Sequence, residues 1–345
     1  MADIPQRRPV VMVTGASAGV GRSVVRRLAQ GHQARLGLLA RGAERLEATR
    51  REVEQLGGEA LVIPADVANA DAVERAAATL EDHFGPIDLW INNAMASMMA
   101  PFKQMTLEEF RRITEVTYLG YVHGTHSALK RMLARDHGVI VQVGSALSYR
   151  SIPLQSAYCG AKHAIVGFTE ALRTELIHDN SAVQLRMVHL PAVNTPQFDW
   201  IRNRMGGKSK PAGKIYQPEV AAEAIVWTAY HDRPEVQLGY PTVQAILGDK
   251  IAPRWLDHYV AHTVYDGHVT DIPDPPGRPD NLFDPVPGDF AAHGPYDAEA
   301  TDHSAQWFLN KHRNALGLIG VGLLAAFGTA MLGRSRSNDR HRGWP

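Results

Sequence analysis

The sequence predicts a doubly wound α/β fold, with helices on both faces of a mostly parallel sheet. Three observations carry this. Apolar runs of strand length alternate with stretches of helical period from residue 9 to about 240. The runs are apolar throughout rather than alternating with polar residues, as strands buried on both faces are. The first run also leads straight into a glycine-rich turn.

The strands are expected at Val10–Val13, Leu36–Leu39, Ala60–Ile63, Ile87–Ile91, Val139–Val143 and Val183–Leu190. Helices are expected between them at Val20–Gln30, Leu46–Leu56, Ala70–Phe84, Thr106–Arg135 and Ser156–His178. The chain has 345 residues, 45% hydrophobic and 21% charged, which fits an ordinary globular protein. Lys plus Arg equals Asp plus Glu at 36 each, so no net field points to nucleic acid. No basic stripe, zinc-finger spacing or His-Glu-x-x-His motif is present in the sequence, and no metal site is expected. The single cysteine, Cys159, excludes an internal disulfide framework and reads as packing.

The N-terminal residues show no signal-peptide pattern, because a strand begins almost at once. After Pro241 the pattern changes. One helical stretch is expected at Val243–His262, followed by a Pro-, Gly- and Asp-rich segment at 273–295 that should wrap the surface or be partly disordered. Residues 314–333 carry no charge and are flanked by basic residues. As a helix they would span roughly 30 Å, so a membrane tail is expected there. The expected division is therefore 1–240 nucleotide-binding and catalytic, 241–313 extension, 314–333 transmembrane helix and 334–345 basic tail, with the bulk of the chain in the cytoplasm.

Thr14-Gly15-Ala-Ser-Ala-Gly19-Val-Gly21 follows the first strand and opens the first helix. Gly15 permits the tight turn, Gly19 lets backbone approach a pyrophosphate, and Gly21 allows close helix packing. The helix N-terminus supplies N–H groups and a positive dipole end for phosphate. Ser17 and Val20 in the same turn belong to this expected site. At the end of the second strand, Ala40 stands where an acidic residue meets a free ribose 2′-OH, and Arg41 follows. A cation there suits a 2′-phosphate, so the sequence predicts NADP(H) over NAD, with Arg41 as determinant. Asp66 is expected at the adenine edge, with Asn69 capping the next helix.

Tyr158 and Lys162 stand four apart at the head of a helix, on one side of it. A phenol is a poor acid or base at neutral pH, and a nearby cation lowers its pKa. Ser145 ends an apolar strand and can hydrogen-bond a carbonyl or alcohol oxygen.

Taken together, Thr14–Gly21, Asp66-Val67, Asn92-Asn93-Ala94, Ser145, Tyr158-x-x-x-Lys162 and Pro191-x-x-x-Thr195 resemble the short-chain dehydrogenase/reductases over residues 9–240. The C-terminal part is also similar to that of a little-studied bacterial subgroup. The resemblance implies a Rossmann fold and hydride transfer between the nicotinamide and a carbonyl or secondary alcohol. It implies Tyr158 as acid/base, Ser145 orienting the substrate oxygen and Lys162 holding the nicotinamide ribose. It further implies backbone contacts to the cofactor from Asn93 and Ala94, with Pro191, Val193 and Thr195 lining the nicotinamide side. A homo-oligomer paired through Thr106–Arg135 and Ser156–His178 is expected on the same ground.

Departures from the family pattern sharpen the expectations. Thr117 stands where an Asn commonly links the lysine to solvent, which leaves the proton relay open. Met95 replaces a glycine, with Met98 and Met99 close behind; these either line the substrate cleft or fill core. Residues 195–217 are expected to form a substrate lid with an apolar underside (Phe198, Trp200, Ile201, Met205), glycine hinges and an outer face of lysines. An apolar lid and a membrane tail favour a hydrophobic carbonyl or alcohol. Two other classes remain open: a non-catalytic NADP-binding sensor, and a membrane scaffold with the same fold.

Overall fold

The computed structural model describes residues 4–314 apart from Gln6 and Pro276. Seven strands form one parallel sheet: β1 (Val10–Thr14), β2 (Arg35–Ala40), β3 (Glu59–Pro64), β4 (Leu89–Asn92), β5 (Val139–Ser145), β6 (Gln184–Leu190) and β7 (Glu235–Gln237). Their order is β7-β6-β5-β4-β1-β2-β3, so the order in which the chain adds strands reverses between β1 and β4. Ligands in such sheets bind beyond the strand C-termini at that reversal. Every pairing is parallel, with Val11 opposite both Leu36 and Leu89.

The helices are α1 (Gly19–His32), α2 (Ala43–Gln55), α3 (Ala70–Phe84), α4 (Leu107–Thr114), α5 (Gly120–Leu133), α6 (Ser156–His178), the short α7 (Gln197–Trp200), α8 (Pro218–Tyr230), α9 (Tyr240–Ile251) and α10 (Pro253–Gly267). Their apolar sides cover the sheet; Val24, Val25 and Leu28 of α1 and Val73, Ala77 and Leu80 of α3 are all fully buried. Asn69 caps α3 as expected, its side chain accepting from the Ala72 amide at 2.9 Å. Thr106 and Glu109 form a capping box that starts α4.

Two expected helices are interrupted. The stretch from Thr106 to Arg135 is broken by a π-helical turn at Glu115–Leu119, between α4 and α5. The extra residue in that turn relaxes the helical register beside the active strand ends. The stretch after Val243 becomes α9 and α10, separated at Ala252 because Pro253 cannot continue a helix. The described residues up to His303 form one compact unit, and those from Ser304 belong to a second. Of the second, residues 305–314 are helical. The uncharged run 314–333 lies, beyond Asn314, outside the described residues; among the described residues no helix is long and apolar enough to cross a membrane.

The expected lid at 195–217 is tied down by short strands. Gly207–Ser209 pairs with Val269–Pro273, and Ile215–Tyr216 pairs with Ala192–Val193. Gly206 and Gly213 have φ of +80° and +78°, so backbone turns occur where hinges were expected. Ile201 is fully buried and Met205 packs beside it with Met99.

Candidate active site

The glycine turn leaves β1 with Gly15 at φ +68°, a conformation that side chains resist. The turn is fastened to the next strand. Both the Asn93 and Ala94 amides donate to Thr14 Oγ1, at 2.9 and 3.0 Å, and the Asn93 side chain donates to the Thr14 carbonyl at 3.0 Å. Asn93 therefore holds the turn in shape from behind. Asn92 is buried beneath it and links Trp90, Thr125 and Gln142 by hydrogen bonds.

Ser145 ends β5, and Tyr158 and Lys162 lie on the first turns of α6. Ser145 neighbours the Tyr158 phenol; burial pushes the phenol's pKa up, and Ser145 opposes this. Lys162 is 2% exposed. Its Nζ donates to the Val143 carbonyl at 2.7 Å and to the Tyr121 hydroxyl at 3.0 Å, and lies 5.6 Å from the Tyr158 ring centre. Burial lowers the Lys162 pKa to about 7. Protein burial thus drives both groups towards their neutral forms, so the protein surroundings alone raise the phenol and do not lower it as the sequence predicts.

The depressed Lys162 pKa predicts a stability effect. The unfolded lysine holds its proton up to about 10.5 and the folded one only to about 7. Between those values the unfolded chain binds more protons, so stability rises with pH through that window and is lowest below it. Lys162→Met should remove this slope and raise the melting temperature at pH 7 by roughly 2 °C, about 1 kcal/mol, while destroying activity. Melting curves of both proteins at pH 7 and 9 check this; a lower melting temperature in the variant at both would contradict it.

Thr117 is buried, and its hydroxyl is used twice on Ala96, accepting from the amide at 3.0 Å and donating to the carbonyl at 2.8 Å. It fastens the π-helical turn to the chain after β4 instead of reaching Lys162. The group that meets Lys162 is Tyr121, which the sequence did not single out. Tyr121 also donates to the Val143 carbonyl at 2.9 Å.

The cofactor residues converge on one cavity of about 450 Å³. Gly15, Ser17, Gly19, Val20, Gly21, Arg41, Asp66, Asn93, Val193 and Thr195 border it, and so do Ser145, Tyr158 and Lys162. Asp66 carries an ion pair from Arg112 at 2.5 Å, while its other oxygen accepts from the Ala68 amide. Arg41 donates to the main-chain carbonyls of Asn281 and Phe283. Burial lowers its pKa, and neighbouring Arg112 adds to this. Arg45, also missed, donates to the Val286 carbonyl and lies over the Trp200 ring at 4.8 Å. Arg22 forms a fork with Asp289 and bonds Glu52. Burial opposes its charge, but the hydrogen bonds to Asp289 and Glu52 outweigh this and its pKa is raised. Nothing local in the sequence signalled these contacts, whose partners lie more than 200 residues away for Arg41 and Arg45 and 267 away for Arg22–Asp289.

Met95, Leu147, Ile152, Phe198, Ala245 and Val264 add apolar lining to the same cavity. Met95 therefore lines the cleft. Met98 is core, while Met99 is buried and borders the cavity as well. Cys159 is buried and its thiol is pushed up by burial, which makes it an unreactive packing group. His163 is exposed and bonds the Cys159 carbonyl at 2.9 Å.

A switch-point cavity with a glycine turn at one end and a serine, a phenol and an ammonium at the other defines a nucleotide-dependent oxidoreductase site. The sequence matches the short chain dehydrogenase family over residues 9–205, and the chain belongs to that family. It is 30% identical over 279 residues to the "Uncharacterized oxidoreductase YxnA" of Bacillus subtilis, covering 80% of this chain and 78% of that one. It is 33% identical over 224 residues to the "Putative oxidoreductase SadH" of Mycobacterium tuberculosis, covering 63% of this chain and 81% of that one. Among solved structures, an alcohol dehydrogenase from Thermococcus sibiricus complexed with 5-hydroxy-NADP superposes with a TM-score of 0.56 at 27% identity. That match covers 67% of this chain and 95% of the other. The doubly wound fold and the oxidoreductase class expected from the sequence both hold.

Proposed function

We propose that the chain transfers a hydride between NADP(H) and a hydrophobic carbonyl or secondary alcohol, with Tyr158 as the acid/base. The observation that carries this is the single cavity joining the glycine turn to Ser145, Tyr158 and Lys162. The dinucleotide supplies or accepts the hydride at its nicotinamide ring. Ser145 holds the substrate oxygen, and Tyr158 delivers a proton to that oxygen in reduction or removes one in oxidation. Lys162 sits where it can bind ribose hydroxyls, which add acceptors for an ammonium that protein burial alone discourages. The wild type should consume NADPH with apolar ketones or aldehydes; activity confined to small polar sugars would count against the substrate class.

NADP preference rests on Arg41 beside Ala40, with Arg45 nearby on the same cavity wall. Arg41→Asp should move the ratio of the two cofactors' efficiencies towards NAD by about tenfold or more. An unchanged ratio would remove Arg41 from this role.

Membrane attachment through 314–333 belongs to the same proposal. It is supported by the uncharged run itself and by the exposed Leu247, Ile251, Trp255 and Tyr259 on α9 and α10, helices that also border the cavity. Fractionation of the full chain and of a chain ending at 313 tests it; full-length protein found only in the soluble fraction would rule the anchor out. The catalytic part then faces the cytoplasm, where NADPH is available. A homo-oligomer is supported by exposed Leu133 on α5 and Ile177 on α6. Light scattering of purified protein should give a dimer or larger.

A further inference from the structure

The segment from Asn281 to Asp297 has neither helix nor strand, yet it is anchored along its whole length. At its start, Leu282 is fully buried in the main core, and its carbonyl accepts from Arg112 Nε at 3.0 Å. The carbonyls of Asn281 and Phe283 accept from Arg41. In the middle, Val286 accepts from Arg45 and Asp289 takes the Arg22 fork. Next, the Gly19 amide of the glycine turn donates to the Ala291 carbonyl at 3.1 Å. At its end, the Tyr296 amide donates to Asn194 Oδ1 at 3.0 Å, and Asn194 donates to Asp297 at 2.8 Å.

In order, the segment touches the end of β2, the glycine turn and the chain between Val193 and Thr195. Those are the adenosine, pyrophosphate and nicotinamide ends of the proposed site. Space remains beneath it: Asn281 and Pro285 border the same cavity as Asp66, Asn93 and Tyr158. The segment thus contributes to the cavity wall at Asn281 and Pro285.

We propose that residues 281–297 are a strap forming the outer wall of the dinucleotide site, resting on the NADP reading above. It fixes the Arg41 guanidinium at the 2′-phosphate position and closes over the bound cofactor. Carbonyls behind the guanidinium orient its remaining N–H groups before binding, which lowers the ordering cost of seating a phosphate. Release then requires the strap to lift, and lifting it breaks the Arg22–Asp289 fork, whose arginine is 2% exposed. The cofactor should therefore leave slowly, and strap opening should limit its exchange.

Two measurements test this on the full chain. Amide hydrogen exchange at residues 284–291 is followed with and without NADPH, and NADPH release is timed in wild type and Asp289→Ala. The strap account expects NADPH to slow exchange at those amides, and Asp289→Ala to release NADPH about tenfold faster or more. Faster exchange on NADPH binding would show a plug that the cofactor displaces, and would overturn the strap. So would an unchanged release rate in a variant that binds NADPH. The exchange measurement needs only wild type and decides the matter if Asp289→Ala fails to fold. A wild type that binds no NADPH overturns the cofactor reading itself; NADPH binding with no change in strap exchange overturns the strap alone.

Discussion

Tyr158→Phe should lower the turnover number by about 10²–10⁴-fold while leaving NADPH affinity within a few-fold of wild type. In the proposed mechanism the phenol exchanges a proton with the substrate oxygen while Ser145 holds it. The substitution removes that oxygen and keeps the ring, so packing against α6 neighbours and the cavity shape persist. The loss must therefore appear in the chemical step and not in cofactor binding. Ser145→Ala should cost less, because it removes an orienting hydrogen bond and spares the proton donor. Steady-state rates and NADPH titrations of the two variants read these effects separately. Tyr158→Phe retaining wild-type turnover would end the mechanism.

Gly21→Ala carries the second large effect, and it acts on the fold of the turn. A Cβ at residue 21 would lie 2.1 Å from the Gly15 carbonyl oxygen and 2.7 Å from Asn93 Nδ2. Neither neighbour can move cheaply. Gly15 is already at φ +68°, and Asn93 is fastened to Thr14. Overpacking against backbone at such a place costs about 3–5 kcal/mol. The variant should melt at least about 10 °C lower and show no measurable NADPH binding. Wild-type NADPH affinity in Gly21→Ala would contradict the geometry assigned to the turn.

The central strands were legible because they are buried on both faces and so read as unbroken apolar runs, and Ala60–Ile63 kept an apolar run although it lies half-buried at the sheet edge. Leu36–Leu39 became Arg35–Ala40 and Val139–Val143 became Val139–Ser145, a matter of one or two residues at the ends. The exception is β7: Glu235–Gln237 is three residues with one apolar side chain, too short to carry any period. The expected site residues border one cavity because the glycine turn and Ser145 follow strand C-termini, and the fold gathers those ends.

What the sequence hid was tertiary. Tyr121 looks like one more helix aromatic until α5 sets it against Lys162. Thr117 stands at the expected position, but whether its hydroxyl meets Ala96 or the lysine depends on how the π-helical turn rotates it. The segment 273–295 reads as loop by composition, and nothing local shows that Asp289 will find Arg22, 267 residues away. Arg41 was legible as a cation at the right strand end, while the strap carbonyls that hold it were not.

Isotope transfer tests most directly that a hydride passes from NADPH to a carbonyl carbon while Tyr158 protonates the oxygen. The wild type is incubated with an apolar ketone and NADPH carrying deuterium at nicotinamide C4, on either face in separate reactions. The account predicts that one of the two labelled cofactors gives alcohol with deuterium on the former carbonyl carbon, and that Tyr158→Phe gives little product from either. Product formed with no label from either cofactor, or NADPH left unconsumed across a panel of carbonyls by protein that binds it, would contradict it.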